Sequence, residues 1–290
     1  MIDAKKVKEL REATGAGMMD CKHALEATKG DFEKAIVWLR EKGISKAAKK
    51  QSRIAAEGKC IFFTKGNKTI FYELNIETDF ACKNENFQKL IDSLNETLIV
   101  SSAKTTEEAL KVKAGKETVE SLIVNATALI GEKISLRRFG VIETKSGEVL
   151  GTYSHMNGKI ISLVLLNGGN EEVARDVAMH VAAMNPNYLE EKDIDPKFLE
   201  SEKQIIRNEI LNEGKPANIV EKIMEGKLKK QIKEYCLVYQ PFVKNADVTV
   251  GGFVEANKAK IIKFVRLGVG EGIEKREENL AEEVAKQLNA

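Results

Sequence analysis

The stretch Lys65-Gly66-Asn67-Lys68-Thr69-Ile70 sets a glycine and an asparagine between two apolar runs, and Asn157-Gly158-Lys159-Ile160-Ile161 corresponds to it in the second half of the chain. Both residue types tolerate the backbone conformations of tight reversals, so each stretch marks a turn between strands. Around the first, residues 58–74 read as two strands, followed by a loop and an amphipathic run over 87–100. Around the second, the β-like runs are Phe139-Gly140-Val141-Ile142 and residues 159–166, and a helix over 171–184 follows. Each half then adds a late strand, over 133–139 in the first and 259–266 in the second. This order predicts an α+β fold of two related lobes with antiparallel sheets, and not a wound parallel sheet.

Working outward, three short helical segments open the chain, over 3–14, 20–29 and 31–42, each followed by a glycine. Asp3, Asp20 and Asp31 are suited to accept bonds from free first-turn amides, and Gly15, Gly30 and Gly43 suit helix ends. A three-helix head over 1–45 is expected. Residues 46–57 begin basic and alanine-rich with almost no large apolar side chain, and so read as a linker. The lobes are expected over 58–139 and 140–270. The second is interrupted near 196–234, where apolar residues spaced by four and seven are flanked by charge, the pattern of an antiparallel helical hairpin. Residues 271–290 read as a terminal amphipathic helix.

With 290 residues, 43% of them hydrophobic and 31% charged, the chain has the composition of a folded protein with room for two or three units. Residues 1–60 hold fourteen Lys or Arg against nine Asp or Glu, a mild basic bias; with only 6% aromatic residues it is not the dense basic and aromatic stripe of a nucleic-acid binder. Cys21, Cys60, Cys82 and Cys236 are far apart and suggest neither a zinc cluster nor a disulfide framework. The start lacks an apolar signal core and no run is long enough to span a membrane, so a cytoplasmic location is expected.

His23, His155 and His180 fall in different segments, and no nucleophile elbow, zinc motif or phosphate loop surrounds them. His180 sits on the apolar face of its helix and reads first as a packed residue; His155 lies on a turn. Thr14-Gly15-Ala16-Gly17-Met18-Met19-Asp20 follows a helix and lacks a third glycine, so it reads as a helix-to-helix turn. Adjacent Met18 and Met19 cannot both face a small core, which leaves core filling and partner contact both open. Thr78-Asp79-Phe80 joins a strand to a helix. Either Phe80 packs under that helix with Thr78 or Asp79 capping it, or the loop presents Phe80 outward beside Asp79; the local pattern does not decide. An enzyme would need Asp79, Glu77 and a histidine to converge, and an RNA-binding reading rests on the basic head and linker.

The chain resembles the bacterial translation elongation factor Ts family, the exchange factors of elongation factor Tu. The resemblance is carried by Leu10-Arg11-Glu12, Thr14 to Lys22, Thr78-Asp79-Phe80, His180-Val181-Ala182-Ala183, Gln240-Pro241-Phe242-Val243 and Gly268-Val269-Gly270-Glu271-Gly272-Ile273-Glu274-Lys275, in the family's order. It implies a ubiquitin-associated-like head, a two-lobed core with a coiled-coil excursion, and a loop that intrudes beside the partner's magnesium and phosphate site to loosen GDP. Asp79 and Phe80 inherit that role, framed by Thr78 and Ala81. Arg11, Met18 and Met19 match head positions that touch the partner, and His155 and His180 match second-lobe contact positions. Where the family loop continues Val-Ala-Lys-Asn, this chain has Ala81-Cys82-Lys83-Asn84. The resemblance implies no covalent catalysis, cofactor, metal or membrane, and elongation factor Tu as partner.

Overall fold

In the computed structural model, which describes residues 3–14, 16–214 and 216–274, both hairpins form within separate units. One unit comprises Met1–Glu143 with Gly268–Ala290, and the other Thr144–Leu267.

In the first unit, α1 (Ala4–Thr14), α2 (Met18–Ala27) and α3 (Phe32–Ala48) make the head around Leu10, Cys21, Ala24 and Leu25. Asp31 caps α3 by accepting the Lys34 N–H at 3.1 Å. Two readings need correction. First, α2 starts at Met18 with Gly17 as its cap, so Asp20 lies inside the helix and does not begin it. Second, α3 does not stop at Gly43 but runs on to Ala48, into the expected linker. Gly43 is there for closeness, because a Cβ on it would stand 3.1 Å from the Ala128 methyl of a helix packed against α3.

The sheet of this unit is built from β1 (Glu57–Lys65) and β2 (Lys68–Ile76), closed by a two-residue turn with Gly66 at φ +63°, where a type II′ turn demands glycine. Then come α4 (Glu85–Ile99), α5 (Thr106–Lys111), the minimal hairpin of β3 (Lys113–Ala114) and β4 (Glu117–Thr118), α6 (Val119–Ile130) and β5 (Ile134–Glu143). The order across the sheet is β1-β2-β5, and both pairings are antiparallel. Phe87, Leu90, Leu94 and Leu98 fall on one face of α4 and close over Tyr72, Leu74 and Ile76. Fully burying such side chains is worth roughly 1.5–3 kcal/mol each, which fixes α4 and therefore the loop ahead of it.

The second unit repeats the plan: β6 (Glu148–His155), β7 (Ile160–Gly168) and α7 (Glu171–Met184), the last capped by Asn170 through the Val173 N–H at 2.9 Å. Next come α8 (Pro196–Asn212) and α9 (Ala217–Tyr235), sealed along Ile206, Ile210, Val220 and Met224. β8 (Pro241–Phe242), β9 (Asn245–Thr249), α10 (Val250–Ala256) and β10 (Ala259–Gly268) complete it, with sheet order β10-β7-β6.

Here a third correction falls. The run Phe139-Gly140-Val141-Ile142 is not the first strand of the second lobe but the continuation of β5, with Phe139 opposite Tyr72 and Ile142 opposite Thr69. The boundary expected at 139/140 lies inside that strand, and the units divide after Glu143. The first strand of the second unit is β6, which is mostly half-buried and carries Gly151, so its strand pattern is weak. That glycine lets α7 lie directly on the strand, since a Cβ there would stand 2.1 Å from the Ala174 carbonyl carbon. The terminal helix expected at 271–290 lies almost entirely outside the described residues, which end at Glu274.

Candidate functional site

Strand β2 ends at Ile76, and α4 is capped by Asn84, which accepts the Asn86 N–H at 2.8 Å. Between them the chain makes a single 3-10 turn over Ala81–Lys83, with Phe80 in the right-handed region as its cap. Ala81 and Cys82 face inward and join the core. Thr78, Asp79 and Phe80 face outward, and Phe80 is 80% exposed. The alternative in which Phe80 packs under the helix is thereby removed: Phe87 fills that place, fully buried, and Asn84, not Thr78 or Asp79, is the cap.

The loop is held from behind. The Thr78 N–H donates to Glu132 Oε2 at 2.9 Å and the Thr78 hydroxyl to Glu132 Oε1 at 2.8 Å. The Ala81 N–H donates to Thr78 Oγ1 at 3.3 Å, and Gln88 Nε2 to the Cys82 carbonyl at 2.7 Å. Glu77 does not converge with a histidine; it accepts the Lys133 N–H at 2.5 Å and pairs with Arg53 at 3.2 Å. The side chains that present Phe80 therefore leave its ring unengaged.

The remaining expected site residues fall in three places. Arg11 is exposed on α1, and Met18 and Met19 are 54% and 58% exposed on the first turn of α2, so neither methionine fills the head's core. A cavity of about 490 Å³ between the head and α6 holds Asp20, Arg40, Glu117 and Asn125, but Arg40 and Asn125 are already joined to Glu117 at 2.6 and 3.0 Å. In the second unit His155 is exposed at the end of β6, stacked on Tyr153 with ring centroids 6.2 Å apart.

His180 behaves differently. It is fully buried, its Nδ1 accepts the Val243 N–H at 3.1 Å, and its Nε2 therefore carries the proton donated to Gln240 Oε1 at 2.9 Å. Burial holds its pKa below the usual histidine value, against the opposing effect of the Gln240 bond. Its ring is not itself a contact surface, which corrects the expectation drawn from the resemblance. It braces the Gln240-Pro241-Phe242-Val243 segment instead.

A similar finding applies to Gly268-Val269-Gly270-Glu271. Buried Glu73 binds Arg138 Nε at 2.6 Å, Arg137 at 3.0 Å and the Gly270 N–H at 2.7 Å, while Arg138 and Arg137 hold the carbonyls of Gly268 and Glu271 at 2.6 and 2.5 Å. That motif is a clasp onto the first sheet. Glu73 and Glu132 had no local signal in the sequence, since each works through a partner far along the chain. The cysteines are buried, and the Cys60 thiol is pushed up to about 12 by burial and by Glu73, which makes it a poor nucleophile.

The loop thus holds an aromatic ring in water beside a carboxylate, on a turn braced by its own fold. The family model described as Elongation factor TS matches residues 77–271, from the start of this loop to the clasp at Glu271. The chain belongs to the elongation factor Ts family, whose members are nucleotide exchange factors for elongation factor Tu.

Proposed function

We propose that the chain binds elongation factor Tu in its GDP state and promotes GDP release by inserting the Thr78-Asp79-Phe80 loop beside the partner's magnesium and phosphate site, in the cytoplasm. The observation that carries this reading is the 80% exposure of Phe80 on an anchored loop inside the family match. Leaving such a ring in water forgoes roughly 1.5–3 kcal/mol, a sum recovered only when a partner covers it.

An exchange factor must favour the nucleotide-free partner, because equal affinity for both states shifts no equilibrium. One phenylalanine supplies about ten- to a hundred-fold in affinity, too little alone to displace a tightly held nucleotide. Exposed Arg11, Met18 and Met19 on the head and His155 in the second unit are the further grips, binding both states while Asp79 and Phe80 supply the difference. His180 contributes by bracing the segment that ends in exposed Val243.

The test is release of labelled GDP from elongation factor Tu with and without the chain, repeated with Phe80→Ala. Acceleration by the chain, with Phe80→Ala weakening exchange more than it weakens binding to the nucleotide-free partner, is the expected result. Equal losses in both refute the wedge.

A further inference from the structure

Packing fixes only the inner edge of the loop. Ala81 and Cys82 are sunk in the core, but Thr78, Asp79 and Phe80 stand outside it, where no apolar contact orients them. At that outer edge acts Glu132, from the turn between α6 and β5. Both of its carboxylate oxygens are committed to one residue of the loop, to the N–H and the hydroxyl of Thr78, and Thr78 Oγ1 then accepts the Ala81 N–H on the far side of Phe80. The bracket therefore spans the two exposed residues without touching either.

The same turn is tied elsewhere. The Lys133 ammonium donates to the carbonyls of Gln51 and Arg53 at 2.7 and 2.9 Å, and Lys50 reaches the Gly131 carbonyl at 2.5 Å. The Lys133 N–H donates to Glu77, directly before Thr78. Residues 131–133 thus fasten the segment leaving the head and the start of the loop to one support. A carboxylate kept only for solubility would be left to water, because ordering a long side chain for an exposed bond gains little by itself.

We infer that Glu132 is a positioning residue for nucleotide exchange: by gripping Thr78 through both carboxylate oxygens it holds Asp79 and Phe80 in the outward conformation before the partner arrives. This rests on the wedge reading above. Preorganisation of this kind removes the ordering cost from the step in which the loop enters the partner, so its loss falls on the rate of release more than on the grip made by the rest of the surface.

The experiment measures labelled GDP release from elongation factor Tu at saturating chain, and titration of the nucleotide-free partner, for Glu132→Ala, Glu132→Gln, Phe80→Ala and the double variant Phe80→Ala with Glu132→Ala. Glu132→Ala is expected to slow release roughly ten-fold at saturation while leaving affinity for the empty partner within about two-fold. Glu132→Gln, which keeps one acceptor oxygen, is expected to fall between. The double variant is expected to be slower than Phe80→Ala alone by less than the full Glu132→Ala effect, since with the ring gone only the placement of Asp79 remains to be lost. Amide hydrogen exchange of the variants without partner is expected to show faster exchange at Thr78 and Ala81 with the core of β2 and α4 unchanged, which separates loosening of the loop from general instability. Normal release by Glu132→Ala beside slow release by Phe80→Ala overturns the inference and leaves the wedge standing, as does a double variant slowed by the product of the two single effects. If Phe80→Ala itself releases GDP as fast as the unmodified chain, the wedge fails and this inference falls with it.

Discussion

The Phe80 loop and the His180 pocket make an instructive pair. Both set an aromatic side chain next to a short connecting segment, and both are braced by hydrogen bonds to groups distant in sequence. They differ in which atoms do the bracing. At the loop the bonds run through Thr78 and the backbone, so the neighbouring ring stays free and 80% exposed. At His180 the ring's own nitrogens are the braces, one accepting from Val243 and one donating to Gln240, so the ring is consumed by the fold. A side chain kept for contact has its support taken from its neighbours; one whose own polar atoms provide the support is part of the scaffold.

The sharpest way to break this contrast is His180→Ala. It leaves the Val243 N–H and Gln240 Oε1 without their His180 partner and opens a cavity, so a loss of about 2–4 kcal/mol of stability is expected, read as a lower urea midpoint. Phe80→Ala is expected to do the opposite: leave the midpoint nearly unchanged and cut exchange by about ten- to a hundred-fold, read as GDP release. Should Phe80→Ala unfold the chain while His180→Ala leaves it intact, the contrast is reversed.

Acidification gives a smaller and graded comparison. With the folded pKa of His180 held below the usual 6.5, the unfolded chain takes up a proton first as pH falls. The stability that the neutral ring supplies is therefore fully present above pH 6.5 and lost as pH drops below it, through the lower folded value. Urea midpoints measured across that window are expected to fall for the unmodified chain and to fall less for His180→Ala. Smallest of all is His155→Ala. Because His155 is exposed, a stability change under about 0.5 kcal/mol is expected, with any effect confined to titration of elongation factor Tu.

Much of the architecture was legible because it is written locally. Gly66-Asn67 announces its hairpin, the apolar period of 171–184 gives α7 at the bounds the structure has, and Asp31 caps the helix it precedes. Where reading failed, a residue's local meaning was overruled by a neighbour remote in sequence. Gly43 looks like a helix end but serves close packing on Ala128, and Gly151, which weakens the local strand pattern of β6, is there to admit α7 against it. The role of the stretch ending at Glu271 is likewise set from afar: its Gly270 N–H is held by Glu73, 197 residues earlier.

By itself the sequence determined two antiparallel α+β lobes and the helical hairpin, since turn chemistry and apolar period act over a few neighbouring residues. Whether Phe80 turned in or out was decided only in three dimensions. Phe87 already occupied the place beneath α4, and Glu132, 54 residues from Thr78, held the loop away from it. Competition between Phe80 and Phe87 for one buried site is settled by packing on the sheet, and the Glu132–Thr78 bond joins residues 54 apart, so neither is written in the local pattern.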